Sequence, residues 1–544
     1  MFTVDKKKLI GFLKQPSQYT NMLLMVVIFG MYVRIAHVIS VDFPLNDGGL
    51  FYSMIRDLGD SDRILPVYTS YNQARIPYAY PPSAFYILRT LKTLLNVPLL
   101  DLMRVFPALV SCLTIPLFYS FTHKILTSKT AVLFSTLAFS FLPTSFDWLI
   151  VGAGVTRAAA FVFSLLALNG AISFLKEKRY QHLMVVTVGF TLVILTHPGI
   201  AWFTFYSLCV LFGYKALSER KFLIHLGSVM VTSGLLSSLW WLTIVKRHGW
   251  KVFVYPFQTE SCSFASLLTP FTFLFTNEPF LDIFAVVGLL GLFISFRRKN
   301  YLIPVWFIVV FLLEPRLSAI YSVIPFSILI GTGFANGILP AIQKDGSRDE
   351  TDDADKIHWD WLTTTFVIFL LLYVTTAAYL APHTKHLSKE QMQAMEWTEK
   401  NTSQDETFIV LTGTQSYGKD YASEWFPALS GRKSVTTPQG MEWLPDNQFQ
   451  KMSEAHFDLQ KCVEENLACL NNWEHFYEKD FAHIFISKKS IRENGQSVDL
   501  LLDDLKNHSS YSVVFENDDV IIFYEKSPGN ILDHNEKRKR VYEY

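Results

Sequence analysis

Charge is scarce in this chain. Only 18% of its 544 residues are Asp, Glu, Lys or Arg, and 48 basic residues cancel 48 acidic ones. With no net charge, no basic domain and no nucleic-acid motif, the sequence gives no support to a nucleic-acid partner. Cysteine is scarcer still: there are five, with no Cys-x-x-Cys pair and no Cys/His cluster, so a structural zinc site has no support. Cys112 and Cys209 fall in apolar runs and read as small fillers. Cys462 and Cys469 lie in a polar region, where they are either a disulfide, if that side is oxidising, or two free thiols on one helical face. No small-residue cleavage site follows the first apolar run, which favours an uncleaved first span over a signal peptide. No internal repeat is evident.

What the chain has in abundance is apolar length. Half of its residues are hydrophobic and 15% are aromatic, figures usual for a multi-pass membrane protein and extreme for a soluble enzyme. About eleven apolar runs approach or reach the length of helix that crosses a bilayer: 21–40, 99–121, 130–146, 158–175, 183–196, 200–214, 222–245, 279–296, 301–313, 317–338 and 361–381. Basic clusters at Lys6–Lys8, Lys124/Lys129, Lys176/Lys178/Arg179, Lys215/Arg220/Lys221 and Arg297–Lys299 set the orientation, with the N-terminus cytoplasmic. The Asp/Glu-rich stretch 344–356 falls on the same side and reads as disordered. Segment 42–98, the turns at Asp147, His197 and Glu314–Arg316, and everything after residue 381 then face outward.

The expected architecture is a polytopic α-helical membrane domain, 1–381, with a first outer loop at 42–98, followed by an extracytoplasmic α/β domain at 382–544. In the latter, 387–401 reads as a helix, and 407–411 and 483–487 as buried strands. Segments 511–515 and 520–524 flank the polar turn Glu516-Asn517-Asp518-Asp519, a hairpin signal. The basic end, Lys537–Arg540, reads as a solvated tail.

The most informative residues stand in the first outer loop. Asn46-Asp47-Gly48-Gly49-Leu50-Phe51-Tyr52 places a carboxylate beside two glycines at the start of an amphipathic helix. Asp47 either caps that helix or marks a reaction centre, since ionisable groups near a bilayer are costly. The loop ends in Tyr80-Pro81-Pro82-Ser83-Ala84-Phe85-Tyr86, where paired prolines fix an extended approach to a second helix.

This order of elements, an Asp-x4-Tyr loop after one span, then Pro-Pro-x-x-x-Tyr, then Arg104-Val105-Phe106-Pro107, resembles the GT-C superfamily of membrane glycosyltransferases. It is most similar to the protein O-mannosyltransferase and aminoarabinose-transferase branch and its bacterial and archaeal relatives, over roughly the first 175 residues. The resemblance implies that a sugar is moved from a polyprenyl-phosphate or dolichyl-phosphate carrier to a protein, glycan or lipid acceptor on the outer face, with inversion. It makes Asp47 the general base that takes the acceptor's proton. The family's motif is often Asp-Glu; here Gly48 replaces the Glu, and Tyr80 stands where Lys or His often precedes the proline pair.

A lipid-phosphate leaving group needs cationic partners. Arg316, Arg75 and Arg104 are the candidates, with Arg157, Tyr52, Tyr80 and His197 as further substrate contacts. Each has a plain alternative: Arg316 an interfacial arginine or a partner of Glu314, His197 a helix cap. Asp147 resembles the family's second acid; otherwise it anchors the interface with Trp148 and pairs with Arg157. A divalent ion, Mg or Mn, would be held by Asp47 and Asp147 if at all. Glu424-Trp425-Phe426 and Gln439–Trp443 are aromatic-rich and read chiefly as packing. Two other readings remain: a transporter or flippase of a lipid-linked saccharide, and a non-catalytic scaffold of GT-C type.

Overall fold

The computed structural model describes residues 18–61, 64–259, 282–314, 317–342, 361–380 and 386–526. The N-terminal lysines, Arg316, the 344–356 stretch and the basic tail lie outside the described residues.

Every apolar run named above carries helix. Among the described residues, four helices are long and apolar enough to cross a membrane: Tyr19–Ile39, Leu99–Ile125, Gly154–Glu177 and Val323–Ala341. The pair Lys221–Leu236 and Ser238–His248, bent by 57°, makes a fifth if it is one span. Lys129–Phe141, Tyr180–Ile194, Ile283–Arg297 and Leu302–Leu313 are shorter apolar helices. The run expected to span as 222–245 is therefore broken at Ser237, where the Ser237 hydroxyl donates to Ser233 O and the helix restarts.

Helix Gly154–Glu177 is the centre of the bundle, with 89% of its apolar window buried inside the protein. The first helix is stitched in by Arg34, which is fully buried. Its guanidinium donates to Gly30 O (2.9 Å), Ser140 O (2.7 Å), Ser111 Oγ (3.2 Å) and Ser145 Oγ (3.0 Å). A buried cation is tolerable only with such a set of acceptors. The stitch also holds, at Ser145, the start of the turn that carries Asp147 and leads into helix Gly154–Glu177.

The first outer loop opens with the amphipathic helix Gly49–Asp60, which buries Leu50, Phe51, Met54, Ile55 and Leu58 along one face. Asp57, on the same helix, accepts from Thr69 Oγ1 (2.7 Å), Ser70 N (2.8 Å) and Ser70 Oγ (2.6 Å), which fixes the returning strand of the loop. The Pro-Pro element leads directly into helix Ser83–Leu95.

The C-terminal region is a mixed five-stranded sheet of order β2-β1-β3-β5-β4, with β1 Thr407–Leu411, β2 Lys433–Ser434, β3 His483–Ser487, β4 Tyr511–Glu516 and β5 Val520–Glu525. Strands β1, β2 and β3 are parallel, while β4 and β5 form the hairpin that the polar turn predicts. Helix Lys389–Asn401 opens with a capping box from Ser388 and Gln391. Cys462 and Cys469 form a disulfide, their Cα atoms 5.5 Å apart.

The two faces of the sheet bury different things. One packs Ile409, Leu411, Ile484 and Ile486 against Leu459, Leu470 and Leu501 of the region's own helices. The other packs Phe408, Val410, Phe485 and Ile522 into a core that also contains Leu50, Phe51, Met54, Tyr71 and Tyr78 of the first outer loop. The loop and the sheet are thus one hydrophobic unit, bridged by helix Tyr421–Ser430.

Candidate active site

Asp47 does not cap the helix it precedes. The N-cap is Gly48, which makes no side-chain cap bond. The backbone around Asp47 is held from two sides. Gly152 N–H donates to Leu45 O (2.7 Å) and Ala153 N–H to Asp47 O (2.9 Å), both from the turn ahead of helix Gly154–Glu177. From the C-terminal region, Trp425 Nε1 donates to Asn46 O (2.8 Å).

So clamped, the Asp47 side chain meets Arg157, with Oδ2 2.9 Å from Nη2. Arg157 in turn lies over the Trp148 ring, 4.0 Å from its centroid, a cation–π contact that fixes the guanidinium plane. The pair is mostly enclosed, its side chains 20% and 12% exposed. Two buried polar atoms are left without a hydrogen-bond partner among the described residues: Asp47 Oδ1 and Arg157 Nη1. One is an acceptor and the other a donor, on the two sides of a single ion pair.

A second carboxylate arrives from far along the chain. Glu424, only 7% exposed, accepts from Gly48 N–H at 3.0 Å, with a further bond from Leu50 N–H. Its carboxyl thus sits at the N-terminus of helix Gly49–Asp60, where unpaired N–H groups and the helix dipole favour an anion. Tyr71 OH donates to Glu424 O at 2.6 Å, tying the same residue to the returning loop. Burial first, and then the nearby Asp47 charge, push the Glu424 carboxyl up to about 8. Burial therefore disfavours a second full charge at Glu424 beside the Asp47–Arg157 pair.

This close approach explains the two glycines. Gly48 has φ +145°, and a Cβ there would lie 2.9 Å from the Trp425 ring. A Cβ on Gly49 would lie 2.6 Å from Glu424 O, a backbone atom that cannot swing aside. Gly49→Ala is therefore expected to cost about 1–3 kcal/mol of stability and to pry helix Tyr421–Ser430 off the loop. Chemical denaturation and protease sensitivity near residue 430 of the full chain would measure it; an unchanged midpoint would mean the contact is looser than it looks.

The pH dependence of stability follows from the raised carboxyls. Glu424 moves from its ordinary 4.5 to about 8, and Glu442 is raised to about 7 by burial. Between the unfolded and folded values the native state binds more protons than the unfolded one, so stability falls as pH rises through about 5 to 8. Glu424→Gln should flatten the decline of the melting temperature across that window, with Glu442 supplying the residual slope.

The remaining sequence candidates are dispersed. Tyr80 borders the site: its hydroxyl is 3.4 Å from Thr156 Oγ1, its ring lies 6.2 Å from Trp443 and 6.1 Å from His197, and burial pushes its phenol up to about 12. His197 N-caps helix Pro198–Ala216, its Nδ1 accepting from Ile200 N–H at 3.2 Å. Burial, then Arg157, lowers its imidazole to about 3, so it stays neutral as the cap requires. Tyr52 packs against Trp425 at 6.0 Å. Asp147 is exposed on the turn before Trp148. Arg75 is exposed and stacks over Tyr68 at 5.2 Å. The phosphate partner expected at Arg316 lies outside the described residues.

Among the described residues no three acids, histidines or cysteines converge, and the Arg157 cation already faces Asp47 Oδ2, where it opposes a second cation.

No protein-family model and no curated protein matches the sequence. Solved structures do. The Archaeoglobus fulgidus oligosaccharyltransferase tethered with an acceptor peptide containing the NVT sequon aligns with 95% of this chain and 75% of its own, at TM-score 0.54 and 12% identity. ArnT from Cupriavidus metallidurans, bound to undecaprenyl phosphate, aligns with 92% of this chain and 97% of its own, at TM-score 0.52 and 14% identity. The chain has the GT-C fold. At these identities the likeness speaks for the GT-C architecture and assigns no role to any residue.

Within that GT-C architecture, the site gathers Asp47, Arg157 and Tyr80 from the residues singled out in the sequence, and adds Glu424. Glu424 stood in the sequence only as part of an aromatic-rich stretch. The one clue to it was a carboxylate amid apolar neighbours, Ser423-Glu424-Trp425-Phe426, a place where an acid is buried only with a partner.

Proposed function

We propose that this protein is an integral-membrane glycosyltransferase that moves a sugar from a polyprenyl-phosphate or dolichyl-phosphate carrier to an acceptor at the outer face. The observation that carries the reading is the Asp47–Arg157 pair with one acceptor and one donor atom left over, set in a GT-C fold. Similarity to a structure bound to undecaprenyl phosphate and to one tethered with an acceptor peptide supports the kinds of partner. About eleven spans, with the N-terminus cytoplasmic and the C-terminal sheet extracytoplasmic, is the topology that goes with it; the Cys462–Cys469 disulfide suits an oxidising outer compartment.

In this reading the acceptor hydroxyl attacks the anomeric carbon as Asp47 Oδ1 takes its proton. The bond from that carbon to the phosphate oxygen breaks on the opposite face, and the leaving phosphate keeps the electron pair. Arg157 Nη1 meets the growing phosphate charge in a site screened from water. Tyr80 and Trp443 offer aromatic faces beside the pair, surfaces on which a sugar ring stacks.

The alternatives make different demands. A flippase places its polar machinery near mid-membrane, whereas in the proposed topology Asp47 lies in the first outer loop and Arg157 in the first turn of helix Gly154–Glu177, at its outer end. A scaffold needs no unpartnered acceptor beside an arginine. The test is the full chain in nanodiscs, given undecaprenyl phosphate linked to mannose, glucose or aminoarabinose. Release of undecaprenyl phosphate together with sugar-labelled product from at least one donor is expected. Translocation with no bond cleavage would place the protein among flippases.

A further inference from the structure

Glu424 has no part in the chemistry just described, yet it is buried against the residue that does. It belongs to helix Tyr421–Ser430 of the C-terminal region and bonds to a peptide 376 positions away. A helix start usually takes its cap from its own chain one or two residues upstream. Here Gly48 provides none, and Glu424 satisfies Gly48 N–H and Leu50 N–H from across the interface. Trp425, the next residue, holds Asn46 O and packs its ring on Phe43 at 4.8 Å. Peptides on either side of Asp47 are thus gripped by two consecutive residues of a distant helix, with Gly49 small enough to let that helix approach.

We infer that Glu424 is a positioning residue for Asp47: by capping helix Gly49–Asp60 in trans it sets the direction of the Asp47 carboxylate, so the site is complete only while the C-terminal region is docked. The inference rests on Asp47 being the base. What matters at Glu424 is an acceptor oxygen of the right reach, not a charge that moves a proton. Gln therefore serves nearly as well, while Ala, lacking the oxygen, and Asp, one methylene shorter, do not.

The experiment uses the full chain in nanodiscs, with Glu424→Gln, Glu424→Ala, Glu424→Asp and Asp47→Asn side by side. Two readouts are taken: hydrogen–deuterium exchange over 46–54, and steady-state release of undecaprenyl phosphate from the donors above. Glu424→Ala is expected to speed exchange at Gly48 and Leu50 and to lower kcat about 10- to 100-fold, the loss that a misplacement of about 1 Å brings, with KM for the donor little changed. Glu424→Gln should stay within about threefold of wild type in both. A purely structural role would lower thermal stability and raise KM together, without that split. Wild-type exchange and wild-type kcat in Glu424→Ala would overturn the inference. So would a Glu424→Gln as damaged as Glu424→Ala, which would make the ionisable proton itself essential. Full activity in Asp47→Asn would remove the base assignment, while the exchange data would still decide whether Glu424 holds the loop.

Discussion

Asp47→Asn is expected to lower kcat for sugar transfer about 10²- to 10⁴-fold, the usual contribution of a positioned general base. The change is nearly isosteric, and the Asn oxygen can still accept from Arg157, so the clamp through Leu45, Asn46 and Asp47 should hold. Donor KM and undecaprenyl phosphate affinity should therefore stay near wild type. That separation is the diagnostic part. A residue needed only for folding would drag binding and stability down with rate, and a scaffold protein would register no loss at all. The measurement is initial rate against donor concentration across pH, together with thermal melting of the same preparation. Wild-type turnover in this variant would sink the enzymatic reading of Asp47.

Arg157 should behave differently, because it touches both sides of the chemistry. Arg157→Met keeps the length of the side chain and removes the cation. It leaves the largely buried Asp47 carboxylate unpaired, at a cost between the values for exposed and buried pairs, about 1–4 kcal/mol. Turnover should fall at least about 10²-fold, as when one preorganised electrostatic donor is removed. In contrast with Asp47→Asn, affinity for undecaprenyl phosphate should fall too. Arg157→Lys restores charge without the planar fork that stacks on Trp148, and should recover stability better than activity. The double variant Asp47→Asn with Arg157→Met closes the cycle: having lost both charges, it should regain much of the stability and none of the activity. Were Arg157→Met to bind undecaprenyl phosphate as wild type does, the phosphate contact would have to be sought elsewhere, with Arg316 the next residue to test.

Sequence alone determined what is written in short-range pattern. Apolar runs mark where helices form, because a helix in hydrocarbon must be apolar along its length. Alternation and turn chemistry place the hairpin of β4 and β5, and the outer loop announces itself by Asp47 among glycines and aromatics. The short runs at 183–196 and 301–313 already mark short helices, Tyr180–Ile194 and Leu302–Leu313, whereas the break at Ser237 was not legible, since tilts and breaks are settled by neighbouring helices. Nor was the site itself. Arg157 lies 110 positions from Asp47, and Glu424 lies 376 from Gly48; which charges meet across such distances depends on the packing of whole elements, and an isolated acid in sequence carries no mark of its partner. The role of the glycines after Asp47 also comes only from the fold, where the space beside them is taken by a helix of the C-terminal region. Composition and periodicity thus pointed to a set of apolar, membrane-type helices followed by a C-terminal α/β region. Only tertiary structure decided that a loop of the first and a helix of the second share one core and bring two acids to one arginine, because burying the aromatic faces of both is what drives them together.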